Sequence, residues 1–300
     1  MSGKLKEVRE RIASVNSTKQ ITSAMKMVSA AKLRRAQQAI VEIRPYSEKL
    51  DQILKNVLSN LDGDGASVLG KERPIENGLV VVITSNRGLA GAFNSNIIKE
   101  AVEVINKRFD QARRNGKLSI LCIGKKGFDY FRKRYQDCNL INEHVELFSD
   151  LSFENVATVS QRLIDTFTDG TFDSIYVAYG RFKNAATQFP EIVRFLPVEI
   201  DDSSRRDSKK KSTRADYIFE PDQEQLLSVL IPTILQTSFH KYILDTHASE
   251  HGARMTAMDK ATENADEMLK ELRITYNKAR QEAITKELSE IVGGAAALDG

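Results

Sequence analysis

Three short stretches of the sequence carry residue types that could do chemistry. The first, GASVLGK at residues 65–71, matches the first seven positions of a phosphate-binding loop, whose backbone N–H groups hold phosphate. Glu72 stands where Ser or Thr should hold magnesium, and Pro74 blocks the helix that should follow. We therefore interpret this match as chance.

The second stretch, TSNRGLAGAFNSN at 84–96, follows an apolar run and opens a helical one. Such a turn could hold an anion at the N-terminus of the helix. It lacks the G-x-G-x-x-G spacing of dinucleotide sites, and no acidic ribose partner follows at the expected distance. A tight strand-to-helix connection is therefore favoured over a cofactor site, and Arg87 is a candidate contact to a partner.

The third stretch, HASEH, places His247 and His251 four residues apart beside Glu250. This spacing is compatible with a metal, but the order differs from the zinc-protease motif, so we predict a surface helix with two histidines. Cys122, inside the apolar run LSILCIG, is predicted to be a buried small hydrophobe. The sequence predicts no catalytic residue, no metal site and no cofactor.

The middle of the chain predicts the elements that surround these stretches. Short apolar runs bounded by turn residues are typical of strands buried on both faces of a sheet. They lie at 78–85, 117–124, 173–180 and 189–200, and helical patterns alternate with them at 93–108, 127–135 and 153–167. This alternation predicts a doubly wound, Rossmann-like α/β domain.

Both ends of the chain predict long helices. Neither Gly nor Pro occurs between Lys4 and Arg44, and residues 4–61 would make a rod on the order of 85 Å. Apolar residues recur there in steps of three and four, at Leu5, Val8, Ile12, Val15, Ile21, Met25 and Val28. A two-helix seam is predicted near the other end at Met258, Thr262, Ala265, Leu269, Leu272, Tyr276, Ala279 and Ala283. The two helices are predicted to pair as a long antiparallel coiled coil.

Three segments follow from these patterns: an N-terminal helix over 1–62, an α/β domain over 63–216 and a C-terminal helix over 217–300. The α/β domain ends in a charged loop at 201–216. An apolar fraction of 41% without any run of roughly 20 apolar residues is typical of a soluble chain. The N-terminus, MSGKLKEVRERI, is charged and has no apolar signal core, so we expect no export.

Residues 1–44 carry ten Lys and Arg against three Glu, a net charge of +7 that favours an anionic partner. The small and apolar end, GGAAAL, favours a tip held in a protein socket.

Three blocks of the sequence closely resemble the gamma subunit of the F-type rotary ATP synthase. They are RIASVNSTKQITSAMKMVSAAKLRRAQ (11–37), TSNRGLAGAFNSNI (84–97) and the long C-terminal block from SEHGARMTAMDKATENADEMLKEL to SEIVGGAAAL (249–298). Their order and the chain length also fit that family. Residues 100–245 match it in pattern more than in residues.

The resemblance implies a function as the central rotor shaft of a proton-translocating ATP synthase. Such a shaft couples rotation of the membrane c-ring to conformational change at the catalytic sites of the beta subunits, and is not itself catalytic. The implied partners are three alpha and three beta subunits, the epsilon subunit and the c-ring, with one copy of the shaft per complex. The implied location is peripheral, on the cytoplasmic face of a bacterial plasma or inner membrane.

The resemblance also implies partner-contact residues, position by position. Arg87 would contact a beta subunit, and Arg280 with Gln281 would form a catch on a beta loop. Thr285 and Glu287 fall at positions that are associated, in this family, with coupling of rotation to catalysis. Met25 and Lys26 would face the acidic beta loop, with Lys26 standing where some members carry Glu. The socket would hold the tip through Ile291, Val292 and Leu298.

Two alternatives stay open on the residues alone. A nucleotide-binding α/β protein predicts that the isolated chain binds nucleotide. A coiled-coil scaffold or nucleic-acid binder predicts salt-dependent DNA binding through the basic helix. The hypothesis of a rotor shaft predicts that the chain co-purifies with a large ATPase and binds no nucleic acid.

Overall fold

A computed structural model describes residues 3–59, 68–70, 72–198 and 223–298. The chain begins with the helix α1 and ends with the helix α6, and the other elements lie between them. In chain order they are α1 (Gly3–Ser59), β1 (Gly78–Ile83), α2 (Phe93–Arg108), α3 (Asp110–Arg114), β2 (Leu118–Ile123), α4 (Lys125–Arg134), β3 (Asn139–Ile141), α5 (Phe153–Thr168), β4 (Ser174–Phe182), β5 (Gln188–Leu196) and α6 (Gln223–Leu298). Short 3-10 turns occur at Val68–Gly70 and Leu147–Ser149.

The five strands form one mixed sheet in the order β3-β2-β1-β4-β5. Strand β1 is central and pairs parallel with both β2 and β4, so that Val81 lies opposite Leu121 on one side and Val177 on the other. The edge strand β5 pairs antiparallel with β4. The predicted strands are confirmed, and β3 is an additional strand of three residues.

Both faces of the sheet are covered, which explains why β1 and β2 are apolar at almost every position. One face packs against α5 and α6, where Phe167 and Phe239 are fully buried. The other packs against α2 and α4, where Ile97 and Phe131 are almost fully buried. Helices on both faces confirm the α/β class, and Cys122 lies buried in the second core as predicted.

The chain separates into two compact units. The coil unit contains residues 1–30 and 254–300, and the sheet unit contains residues 31–253. Helix α1 continues through Pro45 and α6 through Pro232, although each proline removes one backbone hydrogen bond from its helix.

Some sequence predictions have no structural counterpart here. The charged loop 201–216 and most of the phosphate-loop match at 65–71 lie outside the described residues. The division into segments 1–62, 63–216 and 217–300 stays a prediction.

Candidate partner-contact surface

Side chains of α1 and α6 pair across the coil unit in a constant register. Residue numbers rise along α1 as those of their partners fall along α6, so the two helices run antiparallel. The pairs are Lys4 with Glu282 at 3.0 Å, Arg9 with the Tyr276 hydroxyl at 3.0 Å, Lys19 with Asp266 at 2.5 Å, Thr22 with Thr262 at 2.8 Å and Lys26 with Asp259 at 2.5 Å. The predicted antiparallel coil is confirmed.

These polar pairs set the register more than they set the stability of the coil. Lys4 and Glu282 are more than 60% exposed, and exposed ion pairs contribute about 0–1 kcal/mol each. Leu269 and Leu272 are at least nine-tenths buried, and each such burial contributes roughly 1.5–3 kcal/mol. The hydrogen bond to the Tyr276 hydroxyl raises the pKa of the Arg9 guanidinium.

The seam predicted on α6 is confirmed at every position. All of its members are buried or half-buried: Met258, Thr262, Ala265, Leu269, Leu272, Tyr276, Ala279 and Ala283. Small residues recur at this seam, and Ala265 and Ala279 are only 6% and 3% exposed. Small side chains allow the facing helix to approach closely.

The stripe predicted on α1 is correct as far as Val15 and then wrong by one position. Ile21 and Val28 are 57% and 59% exposed, whereas Thr22 and Ser29 are 8% and 3% exposed. The seam continues in strict steps of four and three from Val15 through Lys19, Thr22, Lys26 and Ser29. The seam itself is polar in this stretch, because its side chains form hydrogen bonds to α6 or to their own helix, and apolar periodicity does not detect such a seam.

The candidate residues Met25 and Lys26 lie at the edge of this polar stretch. Both are half-buried, and the Lys26 ammonium donates to a carboxylate oxygen of Asp259. This pairing compensates the charge of Lys26 locally. Sequence reasoning missed Asp259 and Asp266, which become visible as partners only once the register of the coil is known.

Four of the candidates lie near the end of α6. Arg280, Gln281, Thr285 and Glu287 are all exposed. Helix α1 begins at Gly3 and its first cross-helix bond reaches Glu282, so α6 continues for about four turns beyond the last described pair.

On this extension Ile291 and Val292 are 67% and 66% exposed. Leu298 is the last residue of the helix, and its side chain lies outside the described residues.

Arg87 belongs to the sheet unit, in the turn between β1 and α2. The Ser85 hydroxyl donates to the Arg87 carbonyl at 2.6 Å, and the Ser85 backbone N–H donates to Asn94 at 2.9 Å. Leu89 and Gly91 both take positive φ values, which makes the connection tight. The turn thus satisfies its own polar groups and leaves the Arg87 side chain exposed.

Comparison with known proteins identifies the family. The family described as ATP synthase matches residues 4–298. The ATP synthase gamma chain of Cytophaga hutchinsonii is 52% identical over 98% of this chain and 99% of its own length. The gamma chain of Flavobacterium psychrophilum is 51% identical over 99% of both chains. This chain belongs to the ATP synthase gamma chain family. The gamma chain is the central stalk, or rotor, of the F-type ATP synthase.

Solved structures agree with the gamma chain assignment. A chain in the cryo-EM structure of Euglena gracilis mitochondrial ATP synthase (OSCP/F1/c-ring, rotational state 3) superposes with a TM-score of 0.67 at 25% identity, covering 99% of this chain and 95% of that one. A chain of the rotor of the same organism's enzyme, rotational state 1, gives a TM-score of 0.62 at 23% identity and supports the fold.

His247 and His251 of this gamma chain do not lie on the surface of the helix, contrary to the prediction. His251 is only 5% exposed and His247 is half-buried, and their Nε2 atoms lie 3.1 Å apart inside the sheet unit. The prediction of a surface pair was wrong because the whole segment 243–254 of α6 packs inward. Among the described residues no group of three or more His, Cys, Asp or Glu could hold a metal.

A second feature of this gamma chain that sequence reasoning missed is Asp245, which is 6% exposed in α6. Burial raises its pKa to about 6, against the opposing effect of Lys241, Arg44 and Arg181.

None of the helices in the described part of the chain combines the length and the apolar character that a membrane span requires.

Proposed function

We propose that this gamma chain couples rotation of a membrane c-ring to ATP synthesis or hydrolysis at catalytic sites on beta subunits. One copy would stand on the axis of a ring of three alpha and three beta subunits, with the epsilon subunit and the c-ring as further partners. The complex would lie on the cytoplasmic face of a bacterial plasma membrane. The observation that carries this proposal is the antiparallel coil, together with the apolar extension of α6 beyond the last described pair of the two helices.

The coil can act on three identical neighbours differently because it consists of two helices of different sequence and so has no threefold symmetry. A surrounding ring of equal subunits would meet α1 on one side of the coil and α6 on the other. Beyond the pair of Lys4 with Glu282 it would meet the continuation of α6. Turning the coil would exchange these contacts and with them the nucleotide affinities, as a coupling free energy between remote sites.

The extension of α6 supports a socket in the ring. Ile284, Leu288, Ile291 and Val292 are all at least 49% exposed along it. Apolar groups clustered on one exposed helix end are typical of a surface that another protein covers. We propose that Ile291, Val292 and Leu298 lie in this socket, and that Arg280, Gln281, Thr285 and Glu287 contact the ring below it.

The test replaces Arg280 or Gln281 by Ala in the reconstituted complex. A lost hydrogen bond to a charged group costs about 1.5–3 kcal/mol, so the chain should bind the ring about tenfold more weakly, and ATP-driven torque should fall. Lys278→Ala is the control, since Lys278 is another exposed basic residue of α6 and its loss should change neither the binding nor the torque. Unchanged torque and assembly in both variants would remove Arg280 and Gln281 from the contact surface.

A further inference from the structure

The sheet unit contains an open cavity of about 910 Å³ between α1, α5 and α6. Helix α1 forms one wall with side chains between Arg35 and Tyr46, and α6 forms a second wall with side chains between Thr233 and His247. The third wall lies where α5 begins, at residues 151–153. Small-molecule sites in proteins usually occupy roughly 300–1,000 Å³. We call this space the three-helix cavity.

The walls of the three-helix cavity hold it open. Ala39 lies in the α1 wall, and an alanine side chain ends at its Cβ atom and fills little space. In the α6 wall the side chain of Gln236 is tied to α5, because its Nε2 donates to Oε1 of Gln161 at 2.7 Å. His240 is held in a similar way, since its Nε2 donates to the Leu151 carbonyl at 3.0 Å. The space is therefore preformed.

Aromatic rings line the three-helix cavity. Tyr46 and Phe153 are 53% and 39% exposed, although large rings of this kind gain from burial. Phe153 meets the His240 imidazole edge-on, with ring centroids 5.5 Å apart, and His247 is a second imidazole in the wall. Aromatic rings prefer stacked or edge-on contacts with other rings. A flat aromatic molecule in the cavity would therefore cover Tyr46 and Phe153 and find suitable ring partners.

The charge of the lining favours a neutral ligand. Arg35 and Glu42 are the charged side chains among the described residues of the lining, and their charges cancel. A nucleotide is disfavoured, because one arginine two turns away from a carboxylate is a poor match for several phosphate charges.

His240 specifies the hydrogen bond that such a ligand should make. A carbonyl oxygen can only accept, so Nε2 of His240 carries the proton that it donates to Leu151. Burial lowers the pKa of His240, which keeps the ring neutral and makes its Nδ1 an acceptor. Within the described part of the chain this buried Nδ1 has no hydrogen-bond partner. A hydroxyl or N–H group of the ligand would supply the missing donor.

We propose that the three-helix cavity binds a small, neutral, planar aromatic molecule that carries a hydroxyl or N–H donor. Its ring lies against Tyr46 and Phe153, and its donor bonds to Nδ1 of His240. Such a ligand contacts α1, α5 and α6 at once, so it raises the thermal stability of the folded chain. Ligand binding here is independent of the rotor function proposed above, because no partner subunit takes part in it.

The experiment titrates the full chain with 2-naphthol, a neutral planar phenol, and with 2-methoxynaphthalene, which has the same rings but no donor. 2-Naphthol should bind about fivefold more tightly, which is the effect of one net hydrogen bond. His240→Phe should remove this difference by weakening the binding of 2-naphthol, while the affinity for 2-methoxynaphthalene stays within about twofold.

A second variant fills the cavity. Ala39→Phe should weaken the binding of both probes about tenfold or more, because their rings lose the space in which they are buried. Val41→Phe places the same side chain at a 64% exposed position of α1 outside the lining, and is the matched control. It should bind both probes within about twofold of wild type. Circular dichroism spectra of both variants should match that of wild type.

The proposal fails if neither probe binds, if the two probes bind equally well, or if Ala39→Phe binds them like wild type. It also fails if Ala39→Phe, and not Val41→Phe, lowers assembly with the alpha, beta or epsilon subunits, since the cavity would then receive a protein surface. Failure of the proposed rotor function looks different, because the wild-type chain would bind 2-naphthol and yet not support ATP synthesis.

Discussion

At the scale of single residues, the two units differ in how well their buried polar groups are compensated. In the coil unit Thr22 and Thr262 meet at 2.8 Å and satisfy each other. In the sheet unit Asp245 is surrounded by Lys241, Arg44 and Arg181, yet burial still raises its pKa. A buried carboxylate that resists ionisation weakens the folded state at neutral pH.

This carboxylate gives a pH-dependent prediction. The pKa of Asp245 is about 6 in the folded chain against 3.8 as its ordinary value, so between these two pH values the folded chain binds more protons than the unfolded chain. Stability therefore falls as the pH rises through this window, and the whole penalty is present above pH 6. Asp245→Asn should raise the free energy of unfolding by about 3 kcal/mol at pH 7.5 and by little at pH 4.

Urea unfolding at both pH values measures this difference. Asp129→Asn, on the exposed side of α4, serves as the control and should change stability at neither pH. A gain from Asp245→Asn of equal size at pH 4 and pH 7.5 would show that the charge is not its cause.

At the scale of elements, the steps of the α6 seam were predictable because its members are apolar or small. The polar part of the α1 seam was not, since Lys19 and Lys26 become seam residues only through the carboxylates they meet. Strand β3 was missed because three residues carry no periodic signal. The direction of β5 was left open, because an apolar run does not show whether its neighbour runs parallel.

The small seam residues of α6 can be tested by overpacking. Ala279 is 3% exposed, so Ala279→Leu should force the two helices of the coil apart and cost about 1–3 kcal/mol of stability. Asn277→Leu adds a similar side chain at an exposed position and should stay within about 0.5 kcal/mol of wild type. Denaturation followed by circular dichroism compares the two, and equal stability would contradict close packing at Ala279.

At the scale of the whole molecule, the sheet unit and the coil unit are different kinds of structure. The sheet unit is an α/β domain with a large, mainly aliphatic core on each face of its sheet, whereas the coil unit depends on one narrow seam between two helices. The contact roles of Met25, Lys26, Arg87 and the α6 residues stay predictions, because each depends on partners outside this chain. Sequence similarity identifies the family but not the geometry of those contacts.

The proposed function depends on an intact α1, and Ala30→Pro tests it. Proline there removes one hydrogen bond, clashes with the preceding turn and costs about 3 kcal/mol or more. We expect proton-driven ATP synthesis in membrane vesicles to be lost, while hydrolysis by the head persists in part. Ala30→Ser keeps the helix and should retain synthesis. Normal synthesis with Ala30→Pro would mean that the coil need not be stiff.

The register of the coil also has a consequence for biosynthesis. Lys4 bonds to Glu282, a residue 278 positions later, so the first helix to leave the ribosome finds its mate only when translation is nearly complete. Closing so large a loop is a late and entropically costly step. The coil part of α1 therefore lacks its partner helix while the sheet assembles, and its exposed Ile21, Met27 and Val28 are open to premature association during that time.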